Sequence, residues 1–176
     1  MKRMKTGRRL DLGVFIARDA PRGFHPFSSV FGGFERVGAV RSIFGRRTKE
    51  VLGALWVEVT DGRGYMRIND EKGSIVVSGR YLREGSEVDV YLDVIHELVH
   101  IRQHHEGKEL WDRQYEYVDR PTEIEAYRVA VKEARRLGMS EEQVVQYLRV
   151  EWIPDKHFRR FLGNVGVKEM LPAGGD

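Results

Sequence analysis

At Gly85 the hydrophobic period of this sequence changes from about two residues to between three and four. Upstream, Leu55-Trp56-Val57-Glu58-Val59-Thr60 alternates as a half-buried strand does, and Tyr65-Met66-Arg67-Ile68 and Ser74-Ile75-Val76-Val77-Ser78 are two further β segments. Asp61-Gly62-Arg63-Gly64 and Asn69 to Gly73 are turns, so strands this close in sequence are expected to pair as antiparallel hairpins. Downstream, Tyr91, Val94, Ile95, Leu98 and Ile101 fall on one face of a helix.

The helix boundaries carry their own signals. Ser86 can cap the first helix, with Glu87 and Asp89 acidic in its first turn, and Gly107 is a plausible stop. Residues 107–120 form a connecting loop. Thr122-Glu123-Ile124-Glu125 fits a capping box after Pro121 and opens a helix to about Leu137. Ser140-Glu141-Glu142-Gln143 opens another, to about Trp152, before Pro154 breaks it; a short segment over about 155–162 ends at Gly163. The first fifty residues are harder to place. Gly13 to Ala17 reads as a short strand and 19–27, with Pro21, Gly23 and Pro26, as loop. From Phe27 to about Leu55 the spacing of Phe31, Phe34, Val37, Val40, Ile43 and Phe44 is helical, although Gly32, Gly33 and Gly38 oppose it. The order is helix, β-meander, then helices. This predicts an α+β fold with an N-terminal helix and a three-stranded, mainly antiparallel sheet.

A chain of 176 residues suits one domain, assigned here to 11–176, preceded by a basic flexible tail over 1–10. That tail holds Lys2, Arg3, Lys5, Arg8 and Arg9. It can touch nucleic acid, although a solvated terminus is the ordinary role of such a segment. The absence of cysteine excludes disulfides, thiolate metal sites and a cysteine nucleophile, so any metal must be held by His, Asp and Glu. No stretch approaches a membrane span and none resembles a signal peptide, so a cytoplasmic location with no membrane partner is expected.

The residues with the most chemistry are His96-Glu97-Leu98-Val99-His100, an H-E-x-x-H motif. Four residues apart on a helix, two imidazoles stand one above the other and can reach one cation; Glu97 lies beside that site, placed to take a proton from water. A catalytic zinc usually has three protein ligands and one open position. Candidates for the third are His104, His105, Glu106, Glu123, Glu125 and His157. The glycine and histidine that would follow His100 in a metzincin-type site are replaced by Gln103 and Glu106. His104 continues the same helix, which cannot easily wrap three ligands round a tetrahedral ion. On the next helix, Glu123 shares a face with Ala126, Tyr127, Ala130, Ala134 and Leu137, small enough for close helix approach. Glu125 shares a polar face with Arg128, Lys132 and Arg136 and has a bland role as capping partner of Thr122. Glu123 is the expected ligand and Glu125 the alternative.

On His96, Glu97, His100 and the 123–127 helix start, the chain resembles the gluzincin group of zinc metallopeptidases, and its small size and Glu-x-Glu-Ala helix start are similar to the ImmA/IrrE-like intracellular members. The resemblance covers about residues 75–137. It implies a zincin-like fold, one zinc per chain on His96, His100 and Glu123, and peptide added to an edge strand, expected at Ser74 to Ser78. It departs at Tyr127, where such families often carry an acid or amide that orients the first histidine. The implied activity is hydrolysis of a protein or peptide substrate by a metal-activated water, with Glu97 as general base; by side-chain chemistry alone, Tyr115, Tyr117 and His157 are candidates to stabilise the oxyanion. The alternative is a non-catalytic zinc-binding protein that acts through partners, whose site His104 or Glu125 would close.

Overall fold

The computed structural model describes residues 12–168; the basic tail expected over 1–10 lies outside them. The architecture is mixed α+β, with one hydrophobic core shared by a small mixed sheet and the helices. The chain opens with β1 (Phe15–Ile16), inside the expected Gly13–Ala17 strand. The expected loop over 19–27 contains β2 (Gly23–Pro26) and runs into α1 (Phe27–Val30). β3 (Phe31–Gly32) then returns antiparallel to β1.

The single helix expected from Phe27 to about Leu55 is broken into pieces. After α1 and β3 come a 3-10 turn at Phe34–Arg36, α2 (Gly38–Phe44), a second 3-10 turn at Gly45–Arg47 and α3 (Thr48–Ala54). Gly33 at φ 88° and Gly45 at φ 58° supply the left-handed backbone at two of the breaks. The apolar positions are nevertheless buried. Phe27, Phe31 and Phe34 pack ring on ring, with centroids 5.5–6.1 Å apart, and Phe34 packs on Tyr91 at 5.5 Å.

The sheet differs from the expected antiparallel meander. β4 (Trp56–Thr60), β5 (Met66–Asn69) and β6 (Ser74–Ser78) join β2 in the order β2-β4-β6-β5. β5 and β6 form the expected hairpin, but β6 lies between β4 and β5 and runs parallel to β4. The physical reason is visible in the strand: Ser-Ile-Val-Val-Ser does not alternate and is buried on both faces, which suits a central strand. The edge strand next to the cleft described below is therefore β5, not the expected Ser74–Ser78 segment.

Ser78 caps α4 (Gly79–Glu84), a helix absent from the sequence-based expectation. α5 (Glu87–His105) starts where expected, its first turn closed by the Ser86 hydroxyl accepting from the Asp89 amide at 3.1 Å. It stops at a left-handed Gly107, with the Lys108 amide returning to the Gln103 carbonyl at 3.0 Å. α6 (Pro121–Arg136) begins with proline at its first turn. Thr122 and Glu125 form no capping box there; Glu125 is held by Arg102 and Gln103 instead. α7 (Glu141–Leu148) has the expected Ser140–Gln143 capping box but ends before Arg149 instead of reaching Trp152. α8 (Asp155–Val165) continues through Gly163 to a left-handed Gly166. Ala126, Ala130 and Ala134 are fully buried and let α6 lie close against α5, where the Tyr91 hydroxyl donates to Glu133 at 2.6 Å. Among the described residues no helix is long and apolar enough to cross a membrane.

Candidate metal centre

α5 presents Asp93, His96, Glu97 and His100 on successive turns towards a cleft of about 620 Å³, and α6 brings Glu123 to the same place. All three ligand candidates are buried. His96 Nε2 and His100 Nε2 are 3.0 Å apart, and Glu123 Oε2 lies 3.3 Å from the first and 3.4 Å from the second. These distances can be compared with a tetrahedral zinc site. Bonds of about 2.0–2.1 Å at the tetrahedral angle separate two ligand atoms by roughly 3.3–3.4 Å. The triangle therefore already has nearly the edges of a tetrahedral face.

A second observation points the same way. Glu123 Oε2 is buried and has no hydrogen-bond partner of proper geometry among the described residues. A buried carboxylate oxygen without a partner is costly, and a cation shared with the two imidazoles resolves it. The donor set of two neutral imidazoles and one carboxylate is also one that catalytic zinc takes. Among the described residues, His96, His100 and Glu123 are the one group of His, Asp or Glu close enough to share an ion.

The other sequence candidates fall elsewhere. His104 faces the β5–β6 turn at Gly73. His105 and Glu106 are exposed, and Glu106 pairs with Lys108 at 3.0 Å. Glu125 accepts from Arg102 at 2.6 Å, and His157 sits 3.3 Å from Glu116. Of the three oxyanion candidates, Tyr117 lines the cleft and Tyr115 and His157 do not.

The electrostatics follow from burial and from the cluster itself. Burial, the largest influence, pulls His96 below the usual imidazole range. Burial also acts to lower His100, but Glu123, Glu97 and Gln103 outweigh it and push His100 up to about 9. Glu123 is held well below the usual carboxylate range because the two imidazoles overcome the opposing effect of burial. Burial pushes Glu97 up to about 8, against the attraction of His100.

Several site neighbours were not assigned a role from the sequence. Gln103 Oε1 lies 2.7 Å from His100 Nδ1, at the i+3 position where a helix places such a partner. The Tyr127 ring packs on His96, with centroids 4.2 Å apart, and its hydroxyl is 2.9 Å from that of Tyr117. His96 Nδ1 is buried and has no hydrogen-bond partner among the described residues. One turn before Glu97, Asp93 accepts from the Tyr81 and Tyr147 hydroxyls at 2.5 and 2.9 Å. Asp93 could have been noticed as an acid on a buried helix, whereas its tyrosines come from distant elements.

Compared with family models, curated proteins and solved structures, the chain matches none of them.

Proposed function

We propose that this chain is a zinc-dependent peptide hydrolase of zincin-like plan, holding one zinc on His96, His100 and Glu123. The observation that carries the proposal is the set of three ligand atoms 3.0–3.4 Å apart with Glu97 lining the same cleft. Bound zinc would supply the Lewis acidity that activates a water and polarises the scissile carbonyl. Neither His104 nor Glu125 stands where it would close a fourth position, which favours a catalytic over a structural site.

Glu97 is the general base. Burial pushes its carboxyl up to about 8, and a cation held by the neighbouring ligands would draw it down towards the range of an efficient base at neutral pH. It takes the proton from the attacking water and passes it to the leaving amine nitrogen. An extended peptide adds to the free edge of β5, where main-chain hydrogen bonds ask little of its sequence. Tyr65, Met66, Arg67 and Ile68 bring that edge to the same cleft as the ligands. Tyr117, which lines the cleft with its hydroxyl 2.9 Å from that of Tyr127, is the candidate to donate to the developing oxyanion.

The test is Glu97→Gln. Elemental analysis of tag-free protein should find about one zinc per chain in wild type and variant alike. Hydrolysis of labelled casein and a pooled fluorogenic peptide library should fall by at least about 10²-fold. Equal activity in the variant, or a wild type that takes up no zinc, overturns the proposal.

A further inference from the structure

We infer that Gln103 is the positioning residue of this metal centre, setting which nitrogen of His100 faces the cation and joining the two ligand-bearing helices. The inference rests on the zinc-binding reading above and goes beyond it, because neither histidine chemistry nor the H-E-x-x-H spacing requires a glutamine here.

The hydrogen-bond network leaves one orientation. Gln103 is fully buried. Its Nε2 lies 3.0 Å from the Thr122 carbonyl oxygen and 2.6 Å from Glu125 Oε2. Both are acceptors, so the amide nitrogen must face them and donate. The amide oxygen therefore faces His100 Nδ1 at 2.7 Å and can only accept. His100 must then carry a proton on Nδ1, and Nε2 is the nitrogen that faces Glu123 and His96. One buried amide thus reads out as one imidazole tautomer, the one that ligates a metal.

The same amide fixes the helix pair. Thr122 immediately precedes the ligand Glu123, and Glu125 follows it by two residues. Glu125 is in turn held by Arg102 Nη2 at 2.6 Å, from the turn of α5 that carries Gln103. Gln103 therefore touches one ligand directly and holds the backbone beside another. His96 offers a contrast: its Nδ1 is buried without a hydrogen-bond partner among the described residues, and on that side of the cluster the Tyr127 ring packs against it. The site is asymmetric at Nδ1: that atom has a hydrogen-bond partner in His100 and none among the described residues in His96.

The experiment uses the full chain. Zinc affinity is measured by competition with a chromophoric chelator for wild type, Gln103→Leu and the exchange variant Gln103→Glu/Glu125→Gln. Nitrogen-15 NMR of the zinc-loaded proteins reads which nitrogen of His100 carries the proton. Gln103→Leu should weaken zinc binding by about 10- to 100-fold and leave His100 in mixed tautomers, with the circular dichroism spectrum unchanged. The exchange variant keeps an acceptor for His100 Nδ1–H and moves the amide donor to position 125, so it should recover most of the tautomer preference and part of the affinity. A Gln103→Leu protein with wild-type affinity and a single His100 tautomer overturns the inference. A wild type that binds no zinc overturns the underlying reading instead. If Gln103→Leu does not fold, Glu125→Ala decides: a loss on the order of tenfold supports the coupling, and unchanged affinity ends it.

Discussion

Residues 27–54 and the α5–α6 pair build the same core in opposite ways. The first region buries Phe27, Phe31, Phe34, Val40, Val51 and Leu52 from short pieces of helix and turn. Its one buried polar side chain is Thr48, whose hydroxyl is satisfied locally by the Gly45 carbonyl at 2.7 Å. The second region buries His96, Glu97, His100, Gln103, Glu123 and Glu133 between two long unbroken helices. Apolar burial is non-directional, so an irregular backbone can still deliver it. Buried polar groups are directional: their partners must stand at set distances, and two long regular helices hold these side chains in place. Stability can come from either region, while the buried His96, His100 and Glu123 group comes from only one.

That division can be broken experimentally, and the largest effect belongs to the polar region. Glu123→Ala should abolish stoichiometric zinc uptake in elemental analysis, while Phe34→Ala should leave one zinc per folded chain. Loss of zinc from the phenylalanine variant would show that the two regions are not separable.

In chemical denaturation the ranking reverses. Phe34 is fully buried against Phe27, Phe31 and Tyr91, so its truncation should cost about 3–5 kcal/mol. A cost under about 1 kcal/mol would mean that the aromatic cluster is not part of the cooperative core.

Asp93 sharpens the comparison through pH. Burial pushes its carboxyl up to about 6, against the stabilising hydroxyls of Tyr81 and Tyr147. The folded chain therefore holds this proton more tightly than the unfolded chain does. The contribution to stability is present below about pH 4, is lost as pH rises to about 6, and amounts to roughly 3 kcal/mol. Asp93→Asn should flatten that part of the pH–stability curve. An unchanged slope would place the titration elsewhere.

The smallest effect is at the break that divides the first region. Gly33 adopts φ +88°, and a Cβ there would meet Arg36 Nη2 at 2.7 Å. Gly33→Ala should cost about 1–2 kcal/mol in denaturation, with zinc affinity unchanged. A stabilised variant would imply that the segment can become the continuous helix its spacing suggests.

Much of the centre was legible because its cause is local. The i, i+4 spacing that stacks His96 on His100, the Ser86 and Ser140 caps, and the helical faces separating Glu123 from Glu125 all follow from neighbours within a turn or two. What was misread depends on partners far along the chain. The capping role expected of Glu125 is overridden by Arg102, 23 residues earlier. The edge position expected of Ser74–Ser78 fails because β4 takes its other side, although the non-alternating Ser-Ile-Val-Val-Ser run already carried that signal.

The sequence by itself determined two imidazoles and a carboxylate on one helix, a second helix with an acid on its small-residue face, and a cysteine-free set of possible donors. Each is a property of composition and short-range helical geometry. Only the tertiary structure decided that Glu123 Oε2 stands 3.3 and 3.4 Å from the two Nε2 atoms, that β5 is the open edge beside them, and that Gln103 spans α5 and α6. Those facts depend on how two helices dock and how three strands order themselves. Local propensity does not encode docking; the burial of the whole core selects it.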